Sequence, residues 1–293
     1  MNTGYTISSF QRFFFIFSCV FSGLFIYAGN NALITAFVCV FCAVLCTAAH
    51  FILRGFSSSG ELYSAYFGRF ALVINAVSLV WVAFAGVSTL YAFSQNAAAY
   101  YKNANESVIF ICCIFLCAFA LRGSFSGAAR FAELCAFCIP AIFLLSLLGG
   151  GGEVLLSFSA DDVPMLLGAI PSVPVIFSLY LRTSEGEARS DFAKYGGWEV
   201  RGALSGACAS LLAGALYLFV CAMGTERGIL LNIFAYFLCI SRFFAYTVSA
   251  ADILDIAENE SSNAPKKALL LAAVCATALF LRGNLPEFLR AFI

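Results

Sequence analysis

Residues 164 to 179 read PMLLGAIPSVPVIFSL, a run apolar enough to be buried that nevertheless contains Gly168, Pro171 and Pro174. Glycine and proline are the poorest helix formers, and proline also removes a backbone donor. In hydrocarbon every backbone donor and acceptor needs a partner. An interrupted helix therefore survives there only where protein covers it or a water-filled cavity receives it. What the three residues mean depends on whether the rest of the chain lies in lipid.

It does, by composition. Of 293 residues, 62% are hydrophobic and only 11% charged, with a mean hydropathy of +0.94. Soluble domains carry roughly 25% charged residues. Apolar runs recur along the whole length with short polar islands between them, so residues 1–293 read as one integral membrane domain. The runs suit helices and lack the alternating ten-residue pattern of outer-membrane strands. The expected class is all-α and polytopic. Formal net charge is zero and the basic residues are scattered, which gives no surface for nucleic acid. The first run has no small-residue cleavage site and another span follows it at once, which argues against a removed signal peptide.

Nine spans are expected, at Phe13 to Ala28, Ala32 to Leu53, Phe70 to Phe93, Val108 to Leu121, Leu134 to Leu148, Val163 to Leu181, Ala203 to Met223, Ile229 to Ala251 and Ala268 to Leu281. The first, fourth and ninth fall short of the roughly 20 residues of a straight crossing. With the N-terminus in the cytoplasm, Arg12, Arg54, Arg69, Arg122, Arg130, Arg182, Arg189, Lys194, Arg201, Lys266 and Lys267 lie inside. Lys102, Arg227, Arg282 and Arg290 lie outside, a bias that favours this orientation. The longest polar segment, Arg182 to Arg201, then reads as a solvated inner connector with Trp198 at headgroup level.

The thirteen cysteines all fall within apolar runs and read as small hydrophobic residues. Cys135 and Cys138 form a CxxC pair, but the chain has one histidine, His50, and no second Cys pair, so packing is the expected role and no metal site is inferred. No Ser-His-Asp, Cys-His or paired-carboxylate arrangement falls in one plausible cavity, so neither an enzyme nor a cofactor is expected. His50 reads as interfacial, and Asp252 and Asp255 as inner-interface residues. Asn75, Ser78, Ser88, Thr89, Tyr217, Asn232, Ser241, Thr247 and Ser249 should face the interior, mostly as interhelical glue. Arg242 lies inside the eighth span, where a charge is costly. It either faces a partner or wet cavity that the sequence does not identify, or snorkels.

Discontinuous helices in secondary transporters place free carbonyls and helix ends at the midplane, where solute and ion bind. Pro171 and Pro174 each free a carbonyl about one turn earlier. The bland reading is a proline kink healed by neighbours. The first span holds a counterpart, Ser22 to Asn30, SGLFIYAGN, in which Gly23 and Gly29 bracket a short run. Gly23 alone could equally be a packing residue. Interruptions in the first and sixth spans together are what an inverted-repeat transporter shows. The expected binding site is the backbone around Ser22, Gly23 and Leu24 and around Gly168, Pro171, Ser172 and Pro174, with Tyr217 or a hydroxyl of the third span nearby.

Residues 121 to 134, LRGSFSGAARFAEL, carry Arg122, Arg130 and Glu133 and lead into CAFCIPAIFLLSLL with Pro140. This Gly-rich segment ending in Arg-x-x-Glu before a proline-containing helix resembles the spore germination permease family, the B subunits of nutrient germinant receptors. Gln11-Arg12 before the first helix, Ala65 to Gly68 before the third and Gly224 closing the seventh follow the same order. Ser126 stands where that family often carries an acidic residue, and the family usually has about ten helices. The resemblance implies the amino acid, polyamine and organocation transporter fold, with its first and sixth helices broken around a small solute. It implies A-type and C-type receptor subunits as partners, besides membrane lipid, and a bacterial inner membrane, that of the spore, as location. Arg130 and Glu133, spaced i to i+3, read as a structural ion pair at the membrane surface.

The expected function is that of a germinant-receptor B-like subunit that binds a small nutrient, an amino acid, at a midplane site. The alternatives are an ordinary secondary amino-acid permease and a degenerate scaffold without ligand.

Overall fold

The computed structural model describes residues 7–53, 56, 58–101, 105, 108–109, 111–112, 125–159, 162–181, 198–224 and 228–254. Its helices are α1 (Ser9–Gly23), α2 (Ala32–Ile52), α3 (Ser59–Phe67), α4 (Ala71–Tyr100), α5 (Phe125–Leu134), α6 (Cys138–Ser146), α7 (Val163–Ala169), α8 (Val173–Leu181), α9 (Trp198–Ala222) and α10 (Ile229–Ile253). A π-helical turn, Leu24–Ala28, extends α1. Single 3-10 turns join α3 to α4 and α5 to α6. Among the described residues there is no strand, only an isolated bridge between Asn31 and Leu155.

Seven stretches are long and apolar enough to cross a membrane: Ser9–Ala28, Ala32–Ile52, Ser59–Tyr100, Gly127–Ser146, Val163–Leu181, Leu204–Ala222 and Ile229–Ile253. They match seven of the nine expected spans. Most of the fourth and all of the ninth lie outside the described residues, as do most of the Arg182 to Arg201 connector and Asp255.

Three boundaries differ from expectation. The first span begins at Ser9, not Phe13, because Ser8 and Gln11 form a capping box: Gln11 N donates to Ser8 Oγ and Ser8 N donates to Gln11 Oε1, each at 3.1 Å. Arg12 is thereby drawn into the helix and buried. The third span starts a full α-helix early, with the kink at Gly68, whose φ of 51° suits glycine. The segment around Arg130 and Glu133, which falls between the expected fourth and fifth spans, is helical from Phe125 onward.

Lipid-facing and central helices separate clearly. The apolar windows of Ser9–Ala28 and Ile229–Ile253 are 67% and 61% buried within the protein, whereas that of Ser59–Tyr100 is 22% buried. Helix α10 is buried on every face from Ser241 to Ile253, the mark of a helix surrounded by others. It packs on α1, α4, α6 and α8, while α9 packs on α1 and α2. Phe15, Phe17 and Phe21 of α1 fill the centre.

The interior polar residues expected as glue divide into two sets. Thr89 and Thr247 donate to Ala85 O and Phe244 O of their own helices at 2.8 Å each. Ser78 reaches another helix, bonding Tyr63 Oη at 3.2 Å, and so does Ser249. Asp252, expected at the interface, is buried on α10. Cys135 and Cys138 are buried, with Cys135 Sγ 3.7 Å from Phe237 O, as packing residues would be.

Candidate functional site

The run that reads PMLLGAIPSVPVIFSL is two helices. Helix α7 stops at Ala169 because Ile170 precedes a proline and takes an extended conformation, φ −69° and ψ 126°. Pro171 cannot donate to the Leu167 carbonyl. Helix α8 restarts at Val173, with Val175 N donating to Ser172 O at 3.0 Å. Pro174 sits in the first turn of α8, where its missing donor costs nothing. Gly168 has a third role. A Cβ there would meet the Tyr27 ring at 2.9 Å, so the glycine admits an aromatic side chain from the other broken helix.

That other helix loses α-regularity at Gly23, widens into the π turn and ends at Gly29, φ 55°. Local widening of this kind is frequent at functional sites. Gly23 faces the break in α7–α8: a Cβ there would overlap Ala169 O and Arg242 Nη1. Gly23 is therefore a close-packing residue and also the last residue before the irregular turn, so both readings of it hold.

Arg242 of α10 fills the contact. It is 1% exposed. Nη1 donates to Cys19 O at 3.2 Å, and Nη2 donates to Gly168 O at 3.1 Å and to Tyr246 Oη at 3.3 Å. The guanidinium also lies 5.8 Å from the centre of the Tyr246 ring, within cation–π range. It does not snorkel. Its partners are backbone carbonyls of the two broken helices. Two turns further on, Ser249 Oγ donates to Pro174 O at 3.3 Å and lies 3.0 Å from Ser178 Oγ. Helix α10 thus latches both halves of the sixth span.

The expected site residues divide into three groups. Gly23 and Gly168 meet the opposing helix directly, Pro171 and Ser172 form the gap, and Pro174 lies in the first turn of α8. Ser172 Oγ is buried without a hydrogen-bond partner among the described residues. Ser22 and Leu24 are fully buried beside the gap, but the Ser22 hydroxyl is consumed by Ser18 O of its own helix. Tyr217 is not at the gap. Its hydroxyl donates to Gly29 O at the far end of the wide turn, and its ring stands edge-on to Phe21 at 5.9 Å. Arg130 is exposed and Glu133 half-buried on α5, and among the described residues no ion pair joins them.

Tyr27, Tyr246 and the Cys19 carbonyl are members of the site that the sequence does not single out, and Ser249, expected only as interhelical glue, joins them. Tyr27 lies inside the stretch SGLFIYAGN, and its hydroxyl donates to Ser88 O at 3.5 Å, tying α4 to the same place.

Contacts tie described elements together at both ends of the bundle. At one end Arg12 lies 4.3 Å from the centre of the Tyr180 ring and donates to Ser205 Oγ at 3.1 Å, joining α1, α8 and α9. At the other end residues 149–159 run as a strap. Gly152 N donates to Ala222 O at 2.8 Å, Asn31 Nδ2 to Ser157 O at 2.7 Å and Asn30 Nδ2 to Glu153 O at 2.8 Å.

No protein-family model and no curated protein sequence matches the chain.

Proposed function

We propose that the chain is a transporter-like membrane subunit of the germinant-receptor B type, and that it binds an amino acid at the gap between α7 and α8 beside Gly23. On this reading it has an inverted-repeat transporter fold and sits in a bacterial inner membrane, that of the spore, with its N-terminus in the cytoplasm and A-type and C-type subunits as partners. The observation that carries the reading is the meeting of two interrupted membrane helices at Gly23, Ala169 and Gly168. An interruption at membrane depth is tolerated where backbone groups are enclosed by protein or turned toward a solute, and transporters use such pairs for binding. Ser172, with an uncommitted buried hydroxyl, is the side chain best suited to a polar solute.

Thermal unfolding of the detergent-purified protein against a panel of amino acids, sugars and inorganic ions tests this. A solute at 100 times its dissociation constant adds about 2.7 kcal/mol, which raises Tm by roughly 5–10 °C for a chain of this size. An amino acid should give this shift in the wild type and a much smaller one in Ser172→Ala, whose unliganded Tm should be unchanged. No shift from any amino acid would overturn the binding role and leave a scaffold subunit.

The permease reading has its own support in the contacts at the two ends of the bundle, each set of which a carrier would have to break in turn. Uptake of the stabilising amino acid into proteoliposomes separates a carrier from a sensor.

A further inference from the structure

We infer that Arg242 is a tethered cation. It occupies the place where a dissociable monovalent cation would otherwise hold the two broken helices together, so this site works without sodium or potassium. The inference rests on the transporter-like reading of the gap and adds the identity of its ion.

Consider first what the gap presents. Helix α1 loses its α-helical form at Gly23, and α7 ends at Ala169. The C-terminal end of α7, the negative end of its dipole, therefore meets α1 at one buried spot, where α1 passes into its π turn. Gly168 O, in the last turn of α7, is a carbonyl of the kind that lacks an intrahelical donor and needs one from elsewhere, while Cys19 O of α1 also accepts from Ser22 Oγ at 3.5 Å. Carbonyls at unwound segments of membrane helices are the usual ligands for alkali cations.

The guanidinium is placed as that ion would be. Its two terminal nitrogens take Cys19 O from one broken helix and Gly168 O from the other, at 3.2 and 3.1 Å. Both acceptors are backbone carbonyls, the third partner is the Tyr246 hydroxyl, and no carboxylate pairs with Arg242 among the described residues. The surroundings therefore offer a cation partial negative charge from several dipoles, which is how proteins ligate alkali ions. A structural ion pair would look different, with an acid facing the arginine. Space has been cleared for the group too: at Gly23 a Cβ would overlap Arg242 Nη1.

A second cation cannot share the spot. Two unit charges at about 4 Å in a medium of effective dielectric 20 disfavour joint occupancy by about a thousandfold. Because arginine stays protonated, the tethered charge is present at every working pH.

The test needs no solute. Wild-type protein in detergent should melt at the same temperature in sodium, potassium and choline chloride at equal ionic strength. Arg242→Ala removes the tethered charge and should lower Tm by about 10 °C in choline chloride. Millimolar guanidinium or sodium chloride should then restore most of that loss saturably, with choline inert. Arg242→Lys keeps a charge but loses the two-pronged reach, so it should be intermediate and indifferent to the salt. This variant and the wild-type salt series decide the matter if Arg242→Ala does not fold. A saturable rise of wild-type Tm with sodium would overturn the inference. So would an Arg242→Ala protein that no cation restores, since the residue would then be a strut. Failure here leaves the amino-acid test untouched, because that test is read as a solute shift in the wild type.

Discussion

Gly23→Ala is the smallest change that tests the meeting of the two broken helices. Elsewhere in a helix the substitution is favourable, by up to about 1 kcal/mol. At Gly23 the added methyl overlaps Ala169 O and Arg242 Nη1 and comes within 3.0 Å of Ala169 C. The Arg242 side chain could swing away, but the Ala169 backbone cannot without moving α7. Overpacking of this kind costs about 1–3 kcal/mol. Displacing a guanidinium from a carbonyl loses a charge-assisted bond of about 1.5–3 kcal/mol. Set against the propensity gain, the net loss is about 1.5–5 kcal/mol, a fall of roughly 3–20 °C in Tm.

The assay is thermal unfolding in detergent beside two internal controls. Gly127→Ala meets nothing within 4 Å, and Gly86→Ala meets Tyr246 Cβ at 3.4 Å, an ordinary contact. Gly127→Ala should leave Tm unchanged or raise it by about 2–4 °C, and Gly86→Ala should move it little. If Gly23→Ala melts with the wild type, α1 does not press on the gap and the site has no floor.

The other contacts make simpler predictions, the first two readable as Tm. Tyr217→Phe removes the hydroxyl that bonds Gly29 O and should cost about 1 kcal/mol without altering any solute shift, since Tyr217 braces the far end of the wide turn. Asn31→Ala removes the cap of α2, where Asn31 Oδ1 accepts from Leu33 N and Ile34 N, together with the bond to Ser157 O; a loss of about 2 kcal/mol is expected. Arg12→Gln breaks the contact with Tyr180 and should loosen the end of the bundle where Cys46 and Tyr180 both pack on Gly206. Alkylation of Cys46, buried in the wild type, should become measurable in that variant.

How much of this is legible in the sequence depends on whether a feature belongs to side chains or to backbone. The membrane class and seven of the spans follow from composition and run length, because lipid sorts residues by type. The break after Ala169 is legible from Pro171, since the steric demand of a proline on its predecessor is local. The separate jobs of Gly168 and Pro174 are not, because one depends on Tyr27 arriving from 141 positions away and the other on where α8 restarts. The start of α1 differs from the expected one although its capping box is written in Ser8 and Gln11, a short-range signal that the length of the apolar run conceals. Tyr217 has the right helix but the wrong depth.

Arg242 is the instructive case. Its position in an apolar span marks it as costly, yet its sequence context cannot name its partners, because every residue carries a carbonyl. The missing step is physical. An interrupted membrane helix leaves carbonyls that must be met, and an arginine in another span without an obvious acid must find acceptors. Each is an unsolved problem alone, and each is the other's solution. Cys19 O, Gly168 O and the Arg242 fork show that pairing in this chain. A proline break in one apolar span and an unmatched cation in another therefore belong together as two halves of one buried contact.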